Sequence, residues 1–413
     1  MEQTSLFILY FLVFIATFYF ISKKRKIELS FSKLSFAFIA KLAAGCFYGF
    51  IFLKIYKGDD TWKLHQAGLA EYEQLIKTPF HFFASLFQHG YQENQTLSFF
   101  TSHHSYWKDL PDNILIKLLA IFNLFSQGSY YINVIFFNFL VLWGHYFLYK
   151  LFLPLYEKNK QLLFCIVFFF PPLLFWESGI RKDGIMFLTL MGFLYHFSIL
   201  IQTSKKKNIF YAILFLVGLF IFRNFVALVT VAVALFWMLF NLFPRKTILI
   251  FLGGLAIIVS LFFATSFLTP DLNLPLQMAN RQERFQNLTG GSQLPLPQLT
   301  ADFKSYISIL PTAINHAFIR PYPNEIKNPF YLLAFAETVC LLTILVVLLF
   351  YNRIFFTKII QSPLLFSLLL LAVFNYILIG YMVPFLGAII RYKAIYEIIL
   401  FLILLKGVKH LKL

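Results

Sequence analysis

The chain of 413 residues is 60% hydrophobic and 20% aromatic, whereas only 13% of its residues are charged. Soluble proteins are about half apolar and about one quarter charged, so this composition excludes a soluble globular enzyme, a disordered chain and a small disulfide scaffold. Many separate apolar runs of roughly 18–22 residues, each long enough to cross about 30 Å of hydrocarbon, predict an all-α, polytopic helical membrane protein and not an outer-membrane barrel.

About 11 membrane-spanning helices are predicted along the chain from the length of these runs. No basic segment precedes the first run, and Lys23 and Lys24 follow it, which indicates an uncleaved span with its N-terminus outside instead of a signal peptide. The predicted spans lie near residues 5–22, 33–54, 130–150, 161–176, 184–203, 209–222, 225–243, 247–267, 330–350, 362–382 and 394–406.

Basic residues are unevenly distributed between the links that join these spans. The short links after spans 1, 3, 5, 7 and 9, together with the segment that follows the last span, hold about half of the 35 Lys and Arg residues. Positive residues concentrate on the cytoplasmic side of membrane proteins, so these links and the C-terminus are assigned to the inner side. Membrane orientation therefore explains the net charge of +17, and no nucleic-acid partner is predicted.

Two predicted outer loops, residues 55–129 and 268–329, are too long to be simple connectors within one transmembrane domain. In the first loop, apolar side chains recur at helical spacing after Pro79, and residues 114–125 are apolar but too short to span the membrane. These segments predict amphipathic helices that lie at the interface and cover the outer face.

Two adjacent carboxylates, Asp59 and Asp60, follow the second predicted span, and His65 lies in the same polar segment as a candidate contact to substrate. Repulsion and partial desolvation raise the pKa of one carboxylate in such a pair, which suits a general base. The same oxygens could hold a divalent cation, or an aspartate could simply cap a solvated helix. The histidines of this loop lack metal-ligand spacing, so no metal site is predicted from them.

A second polar cluster follows the two prolines Pro171 and Pro172, which disrupt the outer end of a predicted span. Arg181 and Lys182 then stand at the start of the next helix, with Asp183 as its predicted cap. A helix N-terminus beside two cations is suited to bind phosphate. The alternative interpretation is a charged tip between two spans.

Further cations stand at the outer ends of other predicted spans or in the second outer loop. Arg391 is followed by Tyr392, and isolated arginines of this kind commonly extend to lipid headgroups. Because a buried phosphate needs several cations, we instead predict convergence on one outward-facing cavity that opens laterally to lipid. The residues expected at this cavity are Asp59, Asp60, Arg181, Lys182, Arg223, Arg320 and Arg391.

The order of these features resembles the GT-C membrane glycosyltransferases, which have an acidic motif after an early span, interfacial helices in the first outer loop and a large late outer loop. In that class the motif follows the first span, whereas here it follows the second. The tracts PPLLFWESGIRKDGIMF and GAIIRYK are also similar to segments of glycosyltransferase-like and O-antigen-polymerase-like membrane proteins from bacterial surface-polysaccharide loci.

This resemblance implies an enzyme of the bacterial cytoplasmic (inner) membrane that acts at the outer face. It would transfer sugar from a polyprenyl-phosphate donor to a cell-envelope glycan or lipid, with Asp60 or Asp59 as general base. Its partners would be a polyprenyl-linked sugar or oligosaccharide and membrane lipid. No cofactor is predicted, although the two aspartates could hold a divalent cation. The alternatives are a polymerase of lipid-linked polysaccharide repeats and a non-enzymatic lipid or solute transporter.

Overall fold

The computed structural model describes residues 3–24, 27–57, 59–87, 98–101, 105–203 and 205–408, and these residues form a helical bundle. The first nine α-helices are α1 (Gln3–Lys24), α2 (Phe31–Lys54), α3 (Asp60–Lys77), α4 (Pro79–Ala84), α5 (Tyr106–Ser126), α6 (Tyr130–Phe152), α7 (Lys160–Phe169), α8 (Pro171–Trp176) and α9 (Lys182–Thr203). The next nine are α10 (Lys206–Phe222), α11 (Asn224–Leu242), α12 (Thr247–Ala264), α13 (Leu274–Gln286), α14 (Phe303–Ile314), α15 (Pro329–Tyr351), α16 (Arg353–Gln361), α17 (Pro363–Met382) and α18 (Leu386–Val408).

In the described part of the chain, eight helices are long and apolar enough to cross a membrane, namely α1, α2, α6, α9, α11, α12, α15 and α17. The prediction of a helical multi-pass membrane protein is therefore confirmed at this level. The other three predicted spans differ from these eight. The helix expected at 161–176 is divided into α7 and α8 at Phe170, α10 has 17 residues, and α18 carries four charged residues within its 23.

The helices differ strongly in how much of their surface faces other helices. Only 6% of the apolar segment of α12 and 11% of that of α1 are buried, compared with 67% for α17 and 61% for α6 and α9. Large apolar helices with exposed surfaces are expected to face lipid, since lipid tails solvate them as well as a protein core does. The interior of the bundle is therefore built around α6, α9 and α17, together with the largely buried α18.

Two ion pairs lie at opposite ends of α2. At one end Lys150 at the end of α6 pairs with Glu28 at 2.6 Å, just before α2 begins. At the other end, beyond the end of α2, Asp59 contacts Arg181, which precedes α9. The links that follow predicted spans 1 and 3 thus meet at one end of α2, and the links that follow spans 2 and 4 meet at its other end.

The buried cation of Lys117 joins three helices between α2 and α6. The Nζ atom of Lys117 in α5 donates to Glu71 Oε2 of α3 at 3.0 Å and to the Phe82 carbonyl of α4 at 2.6 Å. Nearby Phe80 is 87% exposed, so α4 presents an aromatic surface outward. Such an arrangement is typical of a helix that lies at a membrane interface.

The second long segment is attached to the bundle through α14 and α17. A Cβ atom at Gly380 of α17 would lie 2.1 Å from the carbonyl oxygen of Ala313 in α14, so only glycine permits this approach. In addition, the Tyr381 hydroxyl donates to the Tyr306 carbonyl at 2.6 Å. These contacts hold α14 against the end of α17 that lies near the polar cluster.

Candidate functional site

Arg181 connects the two aspartates that the sequence singled out. Its Nη1 atom donates to Asp59 Oδ2, and its Nη2 atom donates to Asp60 Oδ2 at 2.9 Å. The Arg181 side chain is only 6% exposed, whereas that of Asp60 is 64% exposed. Tyr48 further encloses Asp59, because its hydroxyl donates to Asp59 Oδ2 at 3.1 Å and accepts from Arg181 Nη1 at 2.9 Å. Asp60 is therefore the more accessible of the two carboxylates.

The local sequence explains this arrangement. Asp59 is the extended residue before α3, so the helix start places Asp59 and Asp60 side by side at the end of α2. On the other side, a Cβ atom at Gly179 would lie 2.6 Å from the Tyr48 ring. The missing side chain at Gly179 lets the ring of Tyr48 pack against the turn, so that its hydroxyl reaches Arg181.

Asp183 is a buried carboxylate surrounded by three arginines. Its oxygens lie 2.6 Å from Arg223 Nη2, 3.4 Å from Arg391 Nε and 3.7 Å from Arg181 Nε. These arginines come from the turn before α9, from the link between α10 and α11, and from α18. A single negative charge therefore holds together segments that are far apart in the chain.

Two further contacts complete this cluster. The Tyr392 hydroxyl accepts from Arg391 Nη2 at 2.8 Å, and its ring lies 5.1 Å from the guanidinium carbon of Arg223. Lys182 pairs with Asp112 of α5 at 2.8 Å. The charged residues before and within α9 are thus joined both to α18 and to α5.

Two cavities adjoin this cluster. The Asp60 cavity, of about 440 Å³, is lined by Asp60, Lys63 and Arg181 among others, and the Arg281 cavity, of about 310 Å³, extends towards α13 and α17. They share six lining residues, which form their common wall: Asp112, Lys182, Asp183, Arg223, Arg391 and Tyr392.

The Arg281 cavity combines excess positive charge with an apolar wall. Six cationic side chains of the described residues line it, against the two carboxylates of Asp112 and Asp183; the cations are Lys108, Lys182, Arg223, Arg281, Arg284 and Arg391. Apolar residues from the ends of α10, α11 and α17 line the remainder, including Phe222, Phe225, Leu378, Ile379 and Met382. Such a cavity suits a ligand that carries both a negative charge and an apolar chain.

Sequence reasoning missed Arg281 and Arg284. Both lie on α13, within the segment predicted as the second outer loop, three residues apart and therefore on one face of the helix. Burial and the neighbouring charge of Arg223 lower the pKa of Arg281 to about 10, so it remains cationic at neutral pH. In the sequence, the two arginines show only a helical spacing. Ordinary solvated helices have the same spacing, so it does not identify a site.

Two predicted site residues lie elsewhere. Arg320 forms an ion pair with Glu325 and lies 5.1 Å from the Tyr322 ring, and it lines neither cavity. His65 is buried edge-on against Trp62 and Tyr130 and lines neither cavity. Burial lowers the pKa of His65 to about 4 although a hydrogen bond with the Gly128 backbone opposes this, so the imidazole is neutral at physiological pH.

The structure therefore brings most, but not all, of the expected residues to one place. Six of the expected residues converge, namely Asp59, Asp60, Arg181, Lys182, Arg223 and Arg391. Arg320 belongs to a separate local pair. The guanidinium of Arg181 occupies the position beside the two aspartates where the sequence allowed a divalent cation. Within the described ranges, no group of three or more His, Cys, Asp or Glu side chains is arranged to hold a metal ion.

Comparisons with known protein families, with curated proteins and with solved structures found no match to this chain. The exposed carboxylate of Asp60 lines one cavity, and the neighbouring Arg281 cavity is cationic with an apolar wall. The two cavities share part of their lining. This arrangement suits proton abstraction next to a bound amphiphilic anion.

Proposed function

We propose that the protein is a membrane glycosyltransferase that transfers a sugar from a polyprenyl-phosphate-linked donor to a cell-envelope glycan or lipid. The observation that carries this proposal is the common wall between the Asp60 cavity and the Arg281 cavity. Because the two cavities adjoin, an acceptor hydroxyl in the Asp60 cavity could reach the sugar of a donor whose phosphate lies among the arginines of the Arg281 cavity. The enzyme would act at the outer face of a bacterial inner membrane.

The environment on the outer side limits the choice of donor. Nucleotide sugars are absent there, so an activated sugar must arrive on a membrane lipid. A phosphate stripped of water requires several cations, and a lipid tail requires apolar surface. The Arg281 cavity offers both, with Arg223 and Arg391 on one side and residues such as Phe222 and Met382 on the other.

The proposed step is a direct displacement at the anomeric carbon of the donor sugar. Asp60 accepts the proton of the acceptor hydroxyl, whose oxygen forms the new bond to the anomeric carbon. The bond from that carbon to the phosphate oxygen breaks, and the lipid phosphate leaves with the electron pair. Arginines stabilise the negative charge that develops on this leaving group.

The excess of cations favours a second candidate function, polymerisation of lipid-diphosphate-linked repeats. Six cations face two carboxylates in the Arg281 cavity, which is more positive charge than one monophosphate neutralises. In that reaction the arginines would dominate, and Asp60 would not be essential as a base. The two candidates share the site and differ in the phosphate group of the donor.

Glycan analysis of a deletion strain and a transfer assay with purified protein test the proposal together. If the protein is a transferase, the strain lacks one sugar within its surface glycan, and purified protein moves labelled sugar from a polyprenyl-phosphate donor. Intact single repeats without long chains identify the polymerase instead. An unchanged glycan together with lipid or solute transport by protein in liposomes would contradict both enzymes.

We further propose 11 spans, in which α7–α8, α10 and α18 also cross the membrane, with the N-terminus outside and the C-terminus inside. The separation of Lys150 and Glu28 from the Asp59 end of α2 supports this sidedness. In a variant without native cysteines, Lys304→Cys is expected to react with an impermeant maleimide in intact cells. Lys206→Cys should react only after permeabilisation, and labelling in the opposite order would contradict this orientation.

A further inference from the structure

We propose that Arg281 and Arg284 of α13 bind the phosphate of the substrate, while the apolar wall of the Arg281 cavity holds the adjoining part of an isoprenoid tail. The identity of the lipid rests on the proposed glycosyl transfer. The anion site itself rests on the side-chain geometry of the cavity alone.

Most other cations of the shared cluster already have a carboxylate partner. Arg181 pairs with Asp59 and Asp60, Lys182 pairs with Asp112, and Arg223 and Arg391 pair with Asp183. Within the described residues, by contrast, neither Arg281 nor Arg284 forms an ion pair. Arg281 is half-buried, and a buried cation without a counterion is costly, so an anion that enters this cavity gains most at Arg281. Arg284 adds an exposed second cation that lines the same cavity.

Arg281 is held in a fixed orientation that leaves donors free for a ligand. Its guanidinium lies 4.7 Å from the Phe225 ring centre, and its Nη1 atom lies 3.4 Å from Asn224 Oδ1. Asn224 is itself fixed, since its amide donates to the Phe99 carbonyl and its oxygen accepts from the Phe225 backbone N–H at 2.8 Å. An arginine has five N–H donors, so most of them remain available to phosphate oxygens.

The helix that carries both arginines is fixed to the bundle by Gln282, one of the two residues between them. Gln282 donates through Nε2 to the Tyr381 carbonyl at 2.8 Å, and its Oε1 accepts from the Leu299 N–H at 2.7 Å. The position of α13 relative to α17 is therefore set by buried hydrogen bonds. Arg281 and Arg284 consequently remain one helical turn apart on the side of the helix that lines the cavity.

The chemistry of the surrounding wall indicates which kind of anion fits. Phe222, Phe285, Leu378 and Met382 line the same cavity, and Leu288 lines it while remaining 56% exposed. An inorganic anion would leave this apolar surface unused, whereas an isoprenoid tail would bury it and leave past Leu288 towards the lipid. We therefore assign the site to a lipid phosphate and not to free phosphate.

Binding measurements on the full-length protein in phosphatidylcholine nanodiscs test this assignment. The probes are a polyprenyl monophosphate, a polyprenyl diphosphate, the uncharged polyprenol and inorganic pyrophosphate. The double variant Arg281→Gln with Arg284→Gln is expected to bind both lipid phosphates about 10- to 100-fold more weakly, because two charge-assisted hydrogen-bonding groups are lost. Its weak binding of polyprenol should not change.

The matched control is Lys304→Gln, which removes an exposed cation of α14 in the same outer segment. It should bind all probes as the unmodified protein does. Arg284→Gln alone removes the more exposed of the two arginines, so it keeps the test valid if the double variant does not fold. Thermal unfolding in the same nanodiscs identifies folded variants.

Binding of the lipid phosphates by the folded double variant within twofold of the unmodified protein would overturn the proposal. Pyrophosphate binding as tight as that of polyprenyl diphosphate would overturn the role of the apolar wall. The proposed function fails separately: protein that binds lipid phosphate through these arginines yet transfers no sugar keeps the site and loses the transferase. Transfer that survives the double variant keeps the transferase and loses the site.

Discussion

An Asp60→Asn variant is expected to transfer sugar about 10²- to 10⁴-fold more slowly than the unmodified protein, the range that general bases commonly contribute. Asparagine has the shape of aspartate but cannot accept the acceptor's proton at neutral pH. The side chain is 64% exposed and Arg181 keeps its contact with Asp59, so the fold should be retained. The measurement is the initial rate of transfer from a polyprenyl-phosphate sugar donor at saturating acceptor.

Glu73→Gln provides the matched control, because Glu73 is an exposed carboxylate on the same helix, α3, and pairs with the exposed Lys77 at 3.4 Å. Its transfer rate should equal that of the unmodified protein. A double variant of Asp59→Asn and Asp60→Asn that transfers sugar at the full rate would exclude both carboxylates from the base role. That result would favour the polymerase, for which the arginines suffice.

Asp183→Asn is expected to lower the free energy of unfolding by about 3–5 kcal/mol, the cost of breaking a buried ion pair from one side. The substitution leaves Arg181, Arg223 and Arg391 crowded together without their shared carboxylate. Their mutual repulsion in a buried place should appear as a lower midpoint of denaturant-induced unfolding in detergent. The exposed Glu73→Gln change should cost less than about 1 kcal/mol.

A double-mutant cycle distinguishes lost charge balance from lost packing. Adding Arg223→Gln to Asp183→Asn removes one of the unbalanced cations, so part of the lost stability should return. Contacting residues commonly show coupling energies of about 0.5–3 kcal/mol. Strictly additive losses would mean that Asp183 does not act through its pairing with Arg223.

The sequence was sufficient to predict the class of fold and part of the candidate site, because both depend on strong local signals. Long apolar runs predict spanning helices, and eight helices of the described residues are long and apolar enough to be such spans. The side of the membrane on which the links lie stays a prediction from their basic residues. Asp59, Arg181 and Arg391 were placed at the same ends of spans, where charges are costly unless they meet. Their convergence follows from this constraint.

The positions of the residues that were missed or misplaced depend on how the long segment between α12 and α15 packs against the bundle. Arg281 lies in a polar helix, α13, whose position against the bundle is set by the hydrogen bond from Gln282 to the Tyr381 carbonyl. No local sequence pattern predicts this position. Arg320 instead finds Glu325 five residues further along, a local pairing that competes with the cavity. Tyr48 was one aromatic residue among 22 tyrosines and 56 phenylalanines, so its contact with Asp59 could not be distinguished from ordinary packing.

The arrangement around Asp183 also determines when this centre can form during synthesis. Arg181 and Arg223 lie near Asp183 in the chain, but Arg391 follows it by about 200 residues, which a ribosome adds in roughly 10 to 40 s. Throughout that interval Asp183 of the nascent protein has at most two of its three arginine neighbours, because Arg391 has not yet been synthesised. The cluster around Asp183 is therefore complete only after α18 has been synthesised and has packed against the bundle. A ribosome-bound fragment that ends before α18 would contain most of the helices but not the complete cluster.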